Sequence, residues 1–173
     1  GKRPIEPLYT LQDARECLKQ TNSVAYDQEF SPHAKVRCRF RDAGHILGSA
    51  IIEVWVTGHG RATKLVFSGD LGQPGRPILR DPALIEEADI LVVESTYGDR
   101  RHQDLATTEG EMIAIVEKTL YERGGNVIMP AFAVGRTQQV IYLLHRLAGE
   151  GRLRHPRIFV DSPMATEATR ITR

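Results

Sequence analysis

Apolar and polar positions alternate along the first half of the chain and follow a strand–helix rhythm along the second half. In residues 36–41, arginines alternate with apolar residues, which is the period-two pattern of a strand with one solvent-facing side. The apolar stretches 50–57 and 63–68 flank Gly58-His59-Gly60 and predict a β-hairpin. We therefore expect the first half to build a mainly antiparallel sheet.

A helix is predicted before these strands, in the segment TLQDARECLKQ. Thr10 is its expected N-cap, and Asp13 completes a capping box in which each side chain bonds the backbone of the other residue. A short strand is expected around Val24–Tyr26, between this helix and the alternating stretch.

The second half of the chain has the pattern of a parallel sheet covered by helices. The run DILVVES is almost continuously apolar, as in a strand buried on both faces. A helix follows in TTEGEMIAIVEKTLYERGG, with Thr108 and Glu111 as a capping box and Gly124 as its stop. Strand NVIMPAF, helix RTQQVIYLLHRLAGEG, strand RIFVDS and a helix beginning at Pro163 continue the alternation and predict an α/β layer.

Composition narrows the class of protein without fixing its function. The 173 residues are 41% hydrophobic and 26% charged with a net charge of +1, which neither demands nor excludes a nucleic-acid partner. Cys17 and Cys38 lack CxxC spacing, so free thiols in a reducing cytoplasm are favoured over a disulfide. No apolar run of about 18 residues and no signal-peptide pattern occurs, so no membrane partner is expected.

Three chemically capable side chains stand where predicted strands end. His45 lies between two glycines in FRDAGHILGSA, Asp70 ends TKLVFSGD, and Glu94 closes ILVVES. Charged groups at the ends of buried strands are costly unless something compensates them, and a metal ion would do so. Taken singly, each also has a plain interpretation: a loop histidine, a turn or capping aspartate, and a glutamate that caps the next element.

Four strings in this order change the balance between these interpretations: DAGHILGSA, FSGDLG, VVESTYGDR and GGNVIMPAFAVGRTQQ. Together they resemble the metallo-β-lactamase superfamily, in particular its β-CASP branch of RNA-processing exonucleases and cleavage-and-polyadenylation nucleases. The resemblance implies an α/β fold in two parts. Residues 1–105 would form part of a metallo-β-lactamase αββα sandwich, and residues 106–173 would begin a Rossmann-like β-CASP cap domain.

The resemblance also implies roles for individual residues. His45 matches a metal-ligand histidine, and Asp70 matches the aspartate that bridges two metals, so Asp70 is both a metal ligand and a catalytic candidate. Glu94 matches a carboxylate that supports a histidine closing the site, and we count it with the catalytic group. The implied cofactors are two divalent metal ions, zinc or, as an alternative, manganese.

The main metal motif of the resembled family, His-x-His-x-Asp-His, is absent. No two of the six histidines stand two residues apart. Because the strings that are present match well, we expect the motif to lie upstream in a longer parent chain, with more of the cap domain beyond Arg173. The 173 residues alone are then expected to bind metal weakly or not at all and to be inactive.

Two further residues are candidates for substrate binding. Arg136 opens a helix after a glycine, where it could contact a phosphate at the helix N-terminus or simply form a solvated first turn. Ser162 precedes Pro163 at a strand-to-helix turn, where it could donate to a phosphate or cap the helix, and capping is slightly favoured.

The predicted function of the parent protein is metal-dependent hydrolysis of phosphodiester bonds in single-stranded RNA, by exonucleolytic or endonucleolytic cleavage. A DNA-processing nuclease of the same branch and a non-catalytic RNA-processing subunit are the alternatives. A homodimer or an RNA-processing complex is the expected assembly, and the cytoplasm is the expected location.

Overall fold

A computed structural model of the chain describes residues 7–58, 60–100 and 104–172. Five strands precede most of the helical structure, and a π-helical segment, Glu117–Glu122, continues the second helix. The elements are α1 (Leu11–Leu18), β1 (Glu29–His33), β2 (Val36–Asp42), β3 (Ala50–Gly58), β4 (Arg61–Phe67), β5 (Ile90–Val92), α2 (Leu105–Val116), α3 (Arg136–Gly149) and α4 (Pro163–Thr172).

The strands form one five-stranded mixed sheet in the order β1-β2-β3-β4-β5. Strands β1 to β4 pair antiparallel, and β5 joins β4 in parallel. The predicted hairpin is confirmed by β3 and β4, which pair from Ile52 and Phe67 down to Gly58 and Arg61. The α/β class is therefore confirmed, whereas the αββα sandwich, the Rossmann-like cap and the division at residue 105 stay predictions.

Two hydrophobic clusters form the interior. The first lies at the end of β2 and beside β3 and β4, where Ala43, Ile51 and Val66 pack with Leu71 and Ile85. The second lies among the helices of the second half and contains Val116, Leu144, Leu147 and Leu153. Among the described residues, every helix is too short or too polar to cross a membrane.

Two strand predictions are corrected by the sheet. The predicted strand around Val24–Tyr26 is absent, and the edge strand starts later, at Glu29. The run DILVVES forms only the three-residue β5, and Leu91 at its centre is 59% exposed rather than buried on both faces. Along the described part of the chain, β5 pairs with β4 alone, so continuous apolar character did not translate into burial.

The strands predicted at NVIMPAF and RIFVDS do not form. Both segments are irregular, and Ile128, Phe132 and Phe159 are 86%, 87% and 86% exposed. A strand needs a neighbour to bond its backbone amides and carbonyls. Within the described residues the sheet ends at β5, so these segments have no strand partner and their apolar pattern alone does not fix a strand.

The helix predictions hold, with one correction at a helix start. The Thr10–Asp13 capping box of α1 is confirmed, and α3 and α4 begin at Arg136 and Pro163 as expected. Helix α2, however, is capped by Asp104, whose carboxylate accepts the amide of Thr107 at 2.8 Å. The predicted capping box of Thr108 and Glu111 is therefore wrong, because both residues lie inside α2. Aspartate is at least as good an N-cap as threonine, so Asp104 starts the helix earlier.

One buried carboxylate organises the charged side chains on one face of the sheet. Glu53 is 1% exposed, and its oxygens accept from Arg39 Nε and Lys64 Nζ, each at 2.7 Å, with Arg41 Nη1 at 3.8 Å. Burial by itself raises the pKa of this carboxyl, but the hydrogen bonds from Arg39 and Lys64 outweigh burial and lower the pKa below its ordinary value. The buried charge is therefore retained and paired.

Trp55 lies half-buried on the same side of the sheet as Glu53. The guanidinium of Arg37 covers its ring at 4.2 Å from the ring centroid, and Lys64 Nζ lies at 5.3 Å. Stacked cations thus replace the apolar neighbours that a core tryptophan would have.

We expect Glu53→Ala to lower the free energy of unfolding by about 3 kcal/mol or more, because it leaves several cations around a buried position without their partner. Urea denaturation followed by circular dichroism measures the change. The matched control is Glu29→Ala, which removes an exposed partner of Arg37 and should cost no more than about 1 kcal/mol. Equal losses in the two variants would contradict the central role of Glu53.

The same carboxylate predicts a pH dependence. Because the pKa of Glu53 is lowered in the fold, its stabilisation is present above the ordinary glutamate pKa of about 4.3 and is lost as the pH falls through its folded-state pKa. The difference in stability between the natural chain and Glu53→Ala should therefore shrink below about pH 4.3. A constant difference between pH 7 and pH 3 would contradict the pairing.

Candidate functional site

The loop that carries His45 leaves the end of β2 and is held by hydrogen bonds among its own residues. Gly44 and Gly48 take φ angles of 63° and 83°, which favour glycine because it lacks a Cβ. The amides of His45 and Ile46 both donate to Ser49 Oγ, at 3.1 and 3.2 Å. The imidazole is exposed, and within the described residues it makes no hydrogen bond. The glycines therefore build a tight loop that presents the ring to solvent.

The loop after β4 carries Asp70 and touches the histidine loop directly. The Gly72 amide donates to the Ala43 carbonyl at 2.8 Å. A Cβ on Gly72 would overlap the carbonyl oxygen of Gly44, so only glycine permits this approach. Asp70 is exposed, and its carboxylate has no hydrogen-bond or ion-pair partner in the part of the chain that the structure describes. His45 and Asp70 thus lie on adjoining loops.

Glu94 joins the same group from the end of β5. Its Oε1 accepts the amide of Leu71, and its own amide donates to Ser68 Oγ at 3.0 Å. The Leu71 hydrogen bond first, then the Thr96 hydroxyl and the nearby charge of His45, lower the pKa of Glu94. The carboxylate is therefore a fixed anion that clamps the Asp70 loop and lies near the imidazole of His45.

The donors present suit a metal ion only in part. A neutral imidazole and a carboxylate are ligands that zinc accepts, and both are exposed on adjoining loops. However, across residues 7–58, 60–100 and 104–172, no three His, Cys, Asp or Glu side chains come together as a metal-binding group. The described residues therefore offer a partial ligand set rather than a complete site.

The two candidate substrate residues lie at the starts of two different helices. Arg136 is the first residue of α3 and is exposed, and its guanidinium makes no hydrogen bond or ion pair with any described residue. Ser162 Oγ accepts the amide of Ala165 at 3.1 Å, which is the capping geometry. The phosphate-binding roles of both residues stay predictions, and Arg136 has the geometry that leaves it free for a ligand.

Sequence reasoning missed one contact beside the candidate site. Gly135, immediately before Arg136, lies so close to Ile46 that a Cβ on Gly135 would be 2.7 Å from Ile46 Cγ2. The loop ahead of α3 therefore packs against the residue that follows His45. The glycine in AVGRTQQ was visible in the sequence, but a contact between distant segments leaves no signal in a single sequence.

Comparison with curated proteins finds relatives along most of the chain. Ribonuclease TTHA0252 of Thermus thermophilus is 39% identical over 160 residues, which cover 92% of this chain and 35% of that protein. Transcription termination factor FttA of Thermococcus kodakarensis is 36% identical over 172 residues, covering 96% and 26%. Endoribonuclease YSH1 of Eremothecium gossypii is 30% identical over 142 residues, covering 80% and 17%. The chain thus spans about a third or less of the length of these relatives. No protein-family model matches it.

We expect Gly72→Ala to destabilise the fold by about 1–3 kcal/mol or more, because the added methyl group must separate the two loops. Thermal and urea denaturation measure the loss. Gly110→Ala is the matched control, since Gly110 lies inside α2 with open space at the Cβ position, and it should stabilise the chain by about 0.5–1 kcal/mol. A neutral Gly72→Ala would mean that the loops do not approach as closely as described.

Proposed function

Since the chain belongs to the β-CASP branch of the metallo-β-lactamase superfamily, with 30–39% identity to members such as ribonuclease TTHA0252, FttA and YSH1, we propose that it is part of a metal-dependent ribonuclease. The parent protein hydrolyses phosphodiester bonds of single-stranded RNA. The observation that carries this proposal is the direct contact between the loops of His45 and Asp70 at the ends of β2 and β4.

The cofactors in this proposal are two divalent ions, zinc or manganese. His45 and Asp70 would hold them together with ligands from outside the described residues, because those residues supply too few donors. When bound, such ions activate water and stabilise the charge that develops on a phosphodiester. The His-x-His-x-Asp-His motif is the expected source of the missing ligands, so the 173 residues alone are proposed to be inactive.

The chain's own residues would orient the site and the substrate. The anionic Glu94 holds the Asp70 loop through the Leu71 amide and leaves Asp70 itself free of protein partners. Arg136 stands at the N-terminus of α3, where an RNA phosphate would meet both its guanidinium and the positive end of the helix dipole. Ser162 caps α4 through its oxygen and retains its hydroxyl proton for a phosphate.

The same proposal includes the domain organisation, the assembly and the cellular location of the protein. Residues 1–105 contribute to the αββα sandwich and residues 106–173 to the cap domain, as the two separate hydrophobic clusters support. A homodimer or an RNA-processing complex in the cytoplasm is the proposed setting.

A second candidate function is a role in transcription termination, which is favoured by the relatives named transcription termination factors.

Cleavage of DNA instead of RNA is the other alternative. The test incubates the natural chain that contains these residues with RNA and single-stranded DNA oligonucleotides of the same sequence. It distinguishes a ribonuclease from a deoxyribonuclease. Cleavage of RNA alone supports the proposal, and cleavage of DNA alone overturns it.

In that natural chain, Asp70→Asn should lower the rate of RNA cleavage by about a thousandfold or more, because it removes a proposed metal ligand. The fold should persist, because the Asp70 carboxylate is exposed and bonds no described residue. Cleavage of a labelled oligonucleotide and circular dichroism measure activity and fold. Glu87→Gln, which neutralises another exposed acid that makes no hydrogen bond or ion pair with a described residue, is the matched control and should retain activity. Full turnover by Asp70→Asn would refute the metal-ligand role.

Metal binding by the 173 residues alone is a separate test. We expect calorimetric titration with Zn²⁺ or Mn²⁺ to show weak binding or none, because no three donor side chains of the described residues come together as a metal-binding group. His45→Ala is the control for whatever weak binding is observed and should remove it. Tight binding by the natural sequence would show that the site is complete within this chain.

A further inference from the structure

The loop ahead of α3 forms a wall against the histidine loop. Gly135 has φ 89° and ψ −77°, a conformation that side-chain-bearing residues rarely adopt. This conformation brings its Cα against Ile46, with no room for a methyl group between Gly135 and Ile46 Cγ2. Because Ile46 directly follows His45, the position of this wall bears on the position of the imidazole.

The wall is held by one buried amide side chain. Gln138 is 6% exposed, and its Oε1 accepts the Gly135 amide at 2.7 Å. Its Nε2 donates to the Ala133 carbonyl at 3.0 Å, and towards α4 to Ala165 O and Thr169 Oγ1 at 3.3 and 3.1 Å. Gln138 therefore ties the loop, the start of α3 and α4 together through a single side chain.

The opposite side of the histidine loop is also fixed. The Gly72 backbone occupies the space beside Gly44, while Ser49 Oγ receives the amides of His45 and Ile46. The loop is thus contacted by the Asp70 loop on one side and by Gly135 on the other. Displacing either contact would shift the segment that carries the imidazole.

We propose that Gly135 and Gln138 are positioning residues that set the imidazole of His45 through Ile46. This inference rests on the proposed function for its effect on catalysis, but not for its structural content. Arg136, the candidate phosphate contact, is thereby connected to His45, the candidate metal ligand, through Gly135 and Ile46. Occupation of the α3 N-terminus by RNA and the orientation of His45 are then coupled.

Gln138→Leu tests the proposal in the natural chain that contains these residues, because leucine keeps the bulk and removes every hydrogen bond of the amide. In metal-free protein, hydrogen–deuterium exchange of the peptide covering residues 44–48 should become about tenfold faster, along with that of 133–136. The matched control is Gln139→Leu, since Gln139 is half-buried on the same helix and none of its side-chain atoms bonds a described residue. Faster exchange confined to 133–136 would overturn the proposal.

The steady-state kinetics of RNA cleavage by the same variants provide a second test. Gln138→Leu should lower kcat by about tenfold with KM changed less than about twofold, because misplacement of a ligand affects the reacting geometry more than binding. Gln139→Leu should leave both constants unchanged. A loss of thermal stability with unaltered kcat would identify Gln138 as structural only and overturn the proposal.

A double-mutant cycle covers the case in which Gln138→Leu does not fold. Gly135→Ala pushes a methyl group into Ile46, whereas Ile46→Ala removes the group that it meets. Exchange at residues 44–48 should be faster in Gly135→Ala and should partly recover in the double variant, and the lack of any recovery would overturn the proposal. If the natural chain cleaves no RNA, the ribonuclease proposal fails, while the exchange measurements still decide the positioning role.

Discussion

The approach of two backbones at Gly44 and Gly72 is the constraint on which the rest of the candidate site depends. The ends of β2 and β4 meet there without intervening side chains, and the Gly72 amide to Ala43 carbonyl hydrogen bond fixes their spacing. Once those loops adjoin, Glu94 reaches the Leu71 amide and the third strand end is joined to them. A sheet that brought these ends together through side chains would hold His45 and Asp70 farther apart.

The chain treats its carboxylates in two opposite ways. Glu53 is buried and receives several cations, so its charge contributes to the stability of the sheet. Asp70 is exposed and unpaired among the described residues, and the carboxylate of its anionic neighbour Glu94 accepts the Leu71 amide and the Thr96 hydroxyl. Negative charge is therefore neutralised inside the sheet and left available at the strand ends, where a cation from outside the chain could meet it.

Local signals in the sequence predicted the elements that depend on local interactions. The capping box at Thr10, the hairpin of β3 and β4 and the starts of α3 and α4 each arise from residues a few positions apart. A strand whose partner is distant in the sequence cannot be predicted in this way: NVIMPAF and RIFVDS have the apolar pattern of strands and remain irregular. For the site, the residue types of His45, Asp70 and Glu94 were readable, whereas the packing of Gly135 against Ile46 requires tertiary structure.

The outer edge of β5 has a bearing on how this chain behaves in concentrated solution. Among the described residues this edge has no strand partner, and Ile90, Leu91 and Val92 are half-exposed there, a combination that invites a strand from a second molecule to add on. The acidic residues Asp89 and Glu94 flank this run. Two molecules that paired through this edge would therefore bring like charges close together. Strand addition at this edge would therefore meet electrostatic repulsion between copies, which opposes fibrous self-association.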